Sequence, residues 1–165
     1  MLVRAETPED YAAIRDVNIA AFLDHEFSEQ TEHLIVDALR EAGALDVSLV
    51  AEVDGKVVGH VAFSAAGIGE TTGWFLLGPV AVLPENQGQG IGRALIEAGL
   101  GELRSRHARG CVLVGDPAFY AHFGFSQHEG VTWPGVPDEY VLCLPMSDEP
   151  ASGEVTFHPA FLIEA

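Results

Sequence analysis

Residues 85–96 read ENQGQGIGRALI, with Gly88, Gly90 and Gly92 placed immediately before a helical apolar pattern. The run that precedes them, TTGWFLLGPVAVLP, is long, mostly apolar and strand-like. A strand that passes through glycines straight into a helix constrains the fold more than any other feature of this chain. Bare backbone at a helix start means a tight turn there, or a close approach by something else. The first N–H groups of a helix lack internal partners and carry partial positive charge, so such a loop is a ready anion cradle. The spacing G-x-G-x-G does not match the G-x-G-x-x-G of dinucleotide-binding folds, and Gly92-Arg93-Ala94 does not match the Gly-Lys-Ser/Thr of a Walker loop. What fits is Gln-x-x-Gly-x-Gly over Gln87, Gly90 and Gly92.

Other segments supply a sheet for this strand. LVRAE has strand character, and TPEDYAAIRDVNIAAF follows with Thr7 as an N-cap, Pro8 at the first helical position and acids in the first turn. SEQTEHLIVDALREAG reads as a second helix, capped by Ser28 or Thr31 and stopped by Gly43. The period then changes: DVSLVAEV and KVVGHVAFSAA are strands joined by Asp54-Gly55, a two-residue hairpin signal. After the glycines come a helix over IGRALIEAGLGELRSRH, a buried strand over GCVLVG and a short helix over DPAFYAHF. A loop rich in Gly, Pro and charge leads to the strand EYVLCLPM, and GEVTFHPAFLIEA adds a strand-like tail. This order predicts an α/β (α+β) chain with a mixed sheet of about six to seven strands and about four helices. No linker divides residues 1–165, so a single domain is expected, with a core over 2–146 and a tail over 147–165.

Composition limits the partners. Asp plus Glu number 25 against 8 Lys plus Arg, a net charge of −17, which repels phosphate backbones and excludes nucleic acid while favouring cationic ligands. The longest uncharged run, Thr71 to Pro84, is too short to span a bilayer and is broken by glycine and proline. The amino-terminal residues turn acidic by Glu6 and do not read as a secretory signal, so a cytoplasmic location without membrane attachment is expected. Cys111 and Cys143 lie in apolar runs and read as buried thiols, and the histidines have no metal-ligand spacing, so no metal is expected.

At this level of detail the chain resembles the GNAT family of N-acetyltransferases. LGPVAVLPENQGQGIGRALIEAGL resembles that family's acetyl-coenzyme A motif, and DPAFYAHFGF resembles its second motif, a tyrosine followed by Gly-Phe. The stretch GCVLVGDPAFYAHFGF further resembles a bacterial YhbS-like subgroup. The resemblance implies a mostly antiparallel central sheet and acetyl-CoA as cosubstrate. It implies that backbone at Val80, Ala81 and Val82 pairs with the pantetheine arm, and that Gln87, Gly88, Gln89, Gly90, Ile91 and Gly92 hold the pyrophosphate through their amides. Arg93 can add a charge-assisted contact. Tyr120 matches the family tyrosine that serves the coenzyme A sulfur. Acetyl would pass directly to a primary amine on a small molecule or peptide, because neither motif holds a nucleophile for an acyl-enzyme. The alternative is an acyl-CoA-binding sensor without turnover. The general base stays open among Glu26, Glu32, Glu70 and His60. Asp116 stands where many relatives carry asparagine and reads as the cap of the short helix. The strand-like tail offers an edge for a homodimer.

Overall fold

The computed structural model describes residues 1–164. β1 (Leu2–Ala5) leads into a 3-10 turn over Pro8–Asp10 and then α1 (Tyr11–Phe22). Thr7 is the N-cap and Pro8 follows it at the first helical position, as expected, with Glu9 and Asp10 in the first turn. The Asp10 carboxylate accepts the Thr7 N–H at 2.7 Å, and Arg4 holds the same carboxylate at 2.7 and 3.0 Å. That pairing keeps Asp10 charged down to a pKa of about 2. α2 (Glu32–Glu41) starts after Thr31, the later of the two expected caps, although the Thr31 side chain makes no capping bond. Gly43 ends it with φ of 68°.

β2 (Val47–Val53) and β3 (Lys56–Ile68) form the expected hairpin. Asp54 and Gly55 take φ of 50° and 78°, the left-handed pair that a two-residue turn of matching twist requires. β4 (Thr71–Val82) returns along β3, and the glycine loop opens α3 (Ile91–Ser105). Then come β5 (Gly110–Val114) and α4 (Pro117–Tyr120), which runs on as a 3-10 turn over Ala121–Phe123. β6 (Ser126–Gln127) and β7 (Val131–Thr132) are two-residue strands inside the stretch expected as loop, followed by β8 (Val141–Pro145) and β9 (Gly153–Phe157).

The main path of the sheet is β1-β2-β3-β4-β5-β8-β6, antiparallel at every step except β4–β5. β9 corrects the idea of a free tail edge. It pairs with β3 through Val155–Phe157 and with β7 through Gly153 and Glu154, so the tail is tied into its own chain.

Alternation along β3 assigns the two faces of the sheet. Phe63 meets α3, whose Gly99 lies so close that a Cβ there would sit 2.1 Å from the Phe63 ring. His60, on the opposite face, meets Asn18 of α1. Val61, Phe63, Leu95, Ile96 and Leu103 are fully buried between α3 and the strands. Each such side chain contributes about 1.5–3 kcal/mol through its burial.

Candidate active site

The site begins where the sheet splits. β4 pairs with β5 through three positions only, Trp74 with Gly110, Phe75 with Cys111 and Leu76 with Val112. Beyond Leu76, β4 continues to Val82 against β3 alone, while Leu113 and Val114 continue against β8 alone. The residues that open the split are Gly78 and Pro79. Val61 faces Val80 and Phe63 faces Leu77, so Ala62 alone stands opposite both, which is a β-bulge in β4. Pro79 has no N–H to offer any ladder.

The open edge of β4 is made by backbone. Leu83 donates to the Val58 carbonyl on β3 at 2.9 Å. By the two-residue alternation of an antiparallel ladder, Ala81 also turns its peptide groups to β3, and Val80 and Val82 turn theirs to the split. Two of the three residues expected on this edge are therefore presented there, and Ala81 is not. The Gln87 side chain takes the Val82 carbonyl at 3.1 Å, which fixes the loop against the strand end.

Past Val82, the glycine loop turns into α3. Gly88 and Gly90 have φ of 78° and 81°, and nothing lies within 4 Å of where a Cβ would project from either. Only glycine takes that conformation without strain and leaves that space open. Gln87 donates its own N–H to Pro84 at 3.3 Å and so builds the loop instead of lining it. From Gly88 through Gln89, Gly90, Ile91 and Gly92 to Arg93, no carbonyl or side chain among the described residues accepts a backbone N–H, and the first helical bond is Ala94 to Gly90 at 3.0 Å. These successive N–H groups at the positive end of a fifteen-residue helix suit a compact dianion. The free run extends one residue further along the helix than expected and starts one residue later.

Tyr120 lies on the other arm of the split. Its ring packs over Gly115, where a Cβ would come within 2.5 Å, and against Phe119 and Phe125 at centroid distances of 4.9 and 5.9 Å. Burial, with Cys111 and Asp116 nearby, pushes the phenol up to about 12. Its hydroxyl therefore stays protonated at neutral pH. Phe123 joins the two arms: its ring is 6.2 Å from Tyr120 and 5.9 Å from the Arg93 guanidinium. Neither Phe123 nor Gly115 stood out in the sequence as part of a site. Gly115 carried a readable signal, a glycine between a buried strand and a capped helix; Phe123 looked like any core aromatic. Asp116 caps α4 as expected, accepting the Ala118 N–H at 3.0 Å.

The candidate bases fare differently. His60 is fully buried, and both ring nitrogens are taken, Nδ1 by Asn18 at 3.2 Å and Nε2 by Ser48 at 2.9 Å. Burial lowers its pKa to about 4, so it is a neutral core residue out of reach of any substrate. Glu70 sits at the β3–β4 turn, about 20 Å along the strand from the split at ~3.3 Å per residue. Glu32 accepts the Ser28 hydroxyl at 2.7 Å, and Glu26 is exposed between α1 and α2. Cys111 and Cys143 are both fully buried. Burial drives the Cys111 thiol far above its usual range and Cys143 to about 11, so neither offers a thiolate. Among the described residues, no His, Cys, Asp and Glu side chains converge as metal ligands, and no helix is long and apolar enough to cross a membrane.

A strand split beside an amide-lined helix start suits a compact anion with an extended arm more closely than a metal ion. Residues 45–127 match the acetyltransferase (GNAT) domain. The chain is 36% identical to the uncharacterized N-acetyltransferase YhbS of Escherichia coli K12 across 98% of both proteins. It is 32% identical to the uncharacterized N-acetyltransferase YjhQ of the same strain, over 83% of this chain and 78% of the relative. A GNAT family acetyltransferase from Brucella melitensis, solved in complex with acetyl-CoA, superposes with a TM-score of 0.86 at 48% identity, covering 97% of each chain. Escherichia coli YhbS, solved in complex with CoA, superposes at 0.84 with 34% identity over 98% of this chain and 92% of the other. The chain belongs to the GNAT family of acetyltransferases.

Proposed function

We propose that this acetyltransferase moves acetyl from acetyl-CoA directly to a primary amine. The observation that carries the reading is the convergence of three features on one split: unpartnered amides from Gly88 to Arg93, an open backbone edge at Val80 and the Val82 N–H, and Tyr120 opposite. The residues fit the donor, because Gly88 and Gly90 leave free the space that a Cβ would fill. The amides and helix field would hold the pyrophosphate, and the β4 edge would pair with the pantetheine arm as an added strand. Acetyl-CoA supplies the activated thioester. Tyr120 would donate a hydrogen bond to the departing thiolate. A phenol near 12 is a weaker acid than an ordinary thiol at about 8.5, so it steadies the sulfur without surrendering its proton. Direct attack by the amine follows from the two buried, protonated cysteines.

The amine must arrive neutral or lose a proton at the site, and a net charge of −17 draws its cationic form towards the protein. The test is thiol release from acetyl-CoA against a panel of small and peptidyl primary amines, alongside calorimetric titration with acetyl-CoA. Binding with amine-dependent turnover is expected. Binding without turnover on any amine would establish the sensor instead, and absence of binding would remove both readings.

A further inference from the structure

We infer that Asn18, His60, Ser48 and Glu6 are positioning residues for the donor: a buried hydrogen-bonded chain that fixes α1 and the β3–β4 pair beneath the open edge. The inference rests on the reading of Val80 and Val82 as the donor-binding edge. The chain runs in one direction. Asn18 Nδ2 donates to the Ile14 carbonyl at 3.0 Å and to His60 Nδ1 at 3.2 Å. His60, which therefore carries its proton on Nε2, donates to Ser48 Oγ at 2.9 Å, and Ser48 donates to Glu6. Glu6 is anchored by the Arg40 fork at 2.9 and 3.0 Å, and the Arg40 guanidinium lies 3.9 Å over the Tyr11 ring. Five elements or connections are thus joined, from α2 near the surface to the underside of α1.

The chain is placed where the open edge is set. His60 pairs directly with Ala81, and the residues on either side of Ala81 are the two whose peptides face the split. Two positions further along β3 is Ala62, which stands alone opposite the bulge. Burial tends to raise the Glu6 pKa, but hydrogen bonds from Arg40 and Ser48 and the Arg40 charge more than offset it, so the far end of the chain stays ionised. No member reaches the split as an acid or base, and Asn18, His60 and Ser48 are all buried.

Polarity at these positions is not what cohesion alone would select. Asn18 Oδ1 is buried without a hydrogen-bond partner, a cost that an apolar side chain would not carry. Apolar replacements of buried polar groups are often neutral for stability, whereas directional bonds fix one arrangement. The two roles can therefore be separated.

The experiment compares wild type with His60→Leu/Ser48→Ala and His60→Gln by thermal melting and by calorimetric titration with acetyl-CoA, at a temperature where each is folded. The apolar pair is expected to keep its melting temperature within about 5 °C. Its acetyl-CoA dissociation constant should rise about tenfold, as for a site whose supporting shell has loosened. His60→Gln, which can still accept on one side and donate on the other, should return to within about twofold of wild type. A folded apolar pair with wild-type affinity overturns the inference. If that pair does not fold, Asn18→Leu, which removes only the α1 end, decides by the same titration. Wild type failing to bind acetyl-CoA would overturn the donor reading, and this inference with it, and is distinguished by being measured first.

Discussion

Tyr120 and Gly115 work as one unit. The ring is held over the split because Gly115 has no side chain, and a methyl group there would enter the ring's own space. A hydrogen bond to a charged group is worth about 1.5–3 kcal/mol, so Tyr120→Phe should lower kcat about ten- to hundredfold and leave the acetyl-CoA dissociation constant unchanged. Because burial holds the phenol near 12, the ratio of wild-type to Tyr120→Phe rates should stay constant from about pH 6 to 9 in a steady-state profile. A ratio that collapses at one end of that range would show proton transfer instead. Gly115→Ala should displace the ring and reproduce the loss of kcat while keeping the hydroxyl. If Gly115→Ala has wild-type kcat, the ring is not held by that contact.

The element that matters most is the strand–loop–helix unit of β4 and α3. Gly90 is the left-handed residue immediately before α3, in open space, so a Gly90→Val protein should fold. The backbone penalty is about 1–2 kcal/mol for an L-residue in this conformation. Its branched side chain would stand in the cradle, and the acetyl-CoA dissociation constant should rise more than tenfold in a binding titration, with little change in the Gly101→Ala control on the same helix. This unit was readable from sequence because it depends on backbone: missing side chains, a helix start and a preceding strand are all visible in a string of residues. The Asp54-Gly55 hairpin and the Asp116 cap were readable for the same local reason. What escaped was set by tertiary pairing. β6 and β7 are two residues each and exist only because β8 and β9 are beside them. The direction of the Ala81 peptide follows from strand register, which composition does not encode. His60 stayed open in the sequence between a base and a satisfied core histidine, and it is the core residue; its partners Asn18 and Ser48 lie 42 and 12 residues away, beyond any local pattern.

Across the whole molecule, folding stability is tied to pH through groups held away from their ordinary pKa values. His60 has a folded pKa of about 4 against 6.5 when free, so between those values the unfolded chain binds the extra proton and folding stability falls as pH falls. The shift corresponds to about 3 kcal/mol in all. Glu6 and Asp10, both held below their usual values, add to the loss at lower pH, when protonation ends their pairing with Arg40 and Arg4. Urea midpoints measured from pH 7.5 to 4.5 should therefore decline steeply below about 6.5, and His60→Gln should flatten that decline. An unchanged slope in the variant would place the sensitivity elsewhere.

The split has a consequence for the molecule as a material. Its two leaves, β1 to β4 on one side and β5, β8 and β6 on the other, are joined in the strand ladder by the three residue pairs of β4–β5. The sheet is left with an unfinished seam through its middle. A donor that pairs along Val80 and Val82 closes that seam as a strand made of something other than protein. Occupancy then enters folding itself, adding about 2.7 kcal/mol when the donor stands at a hundred times its dissociation constant. The cosubstrate pool would set how tightly the enzyme is knit, as well as how fast it turns over.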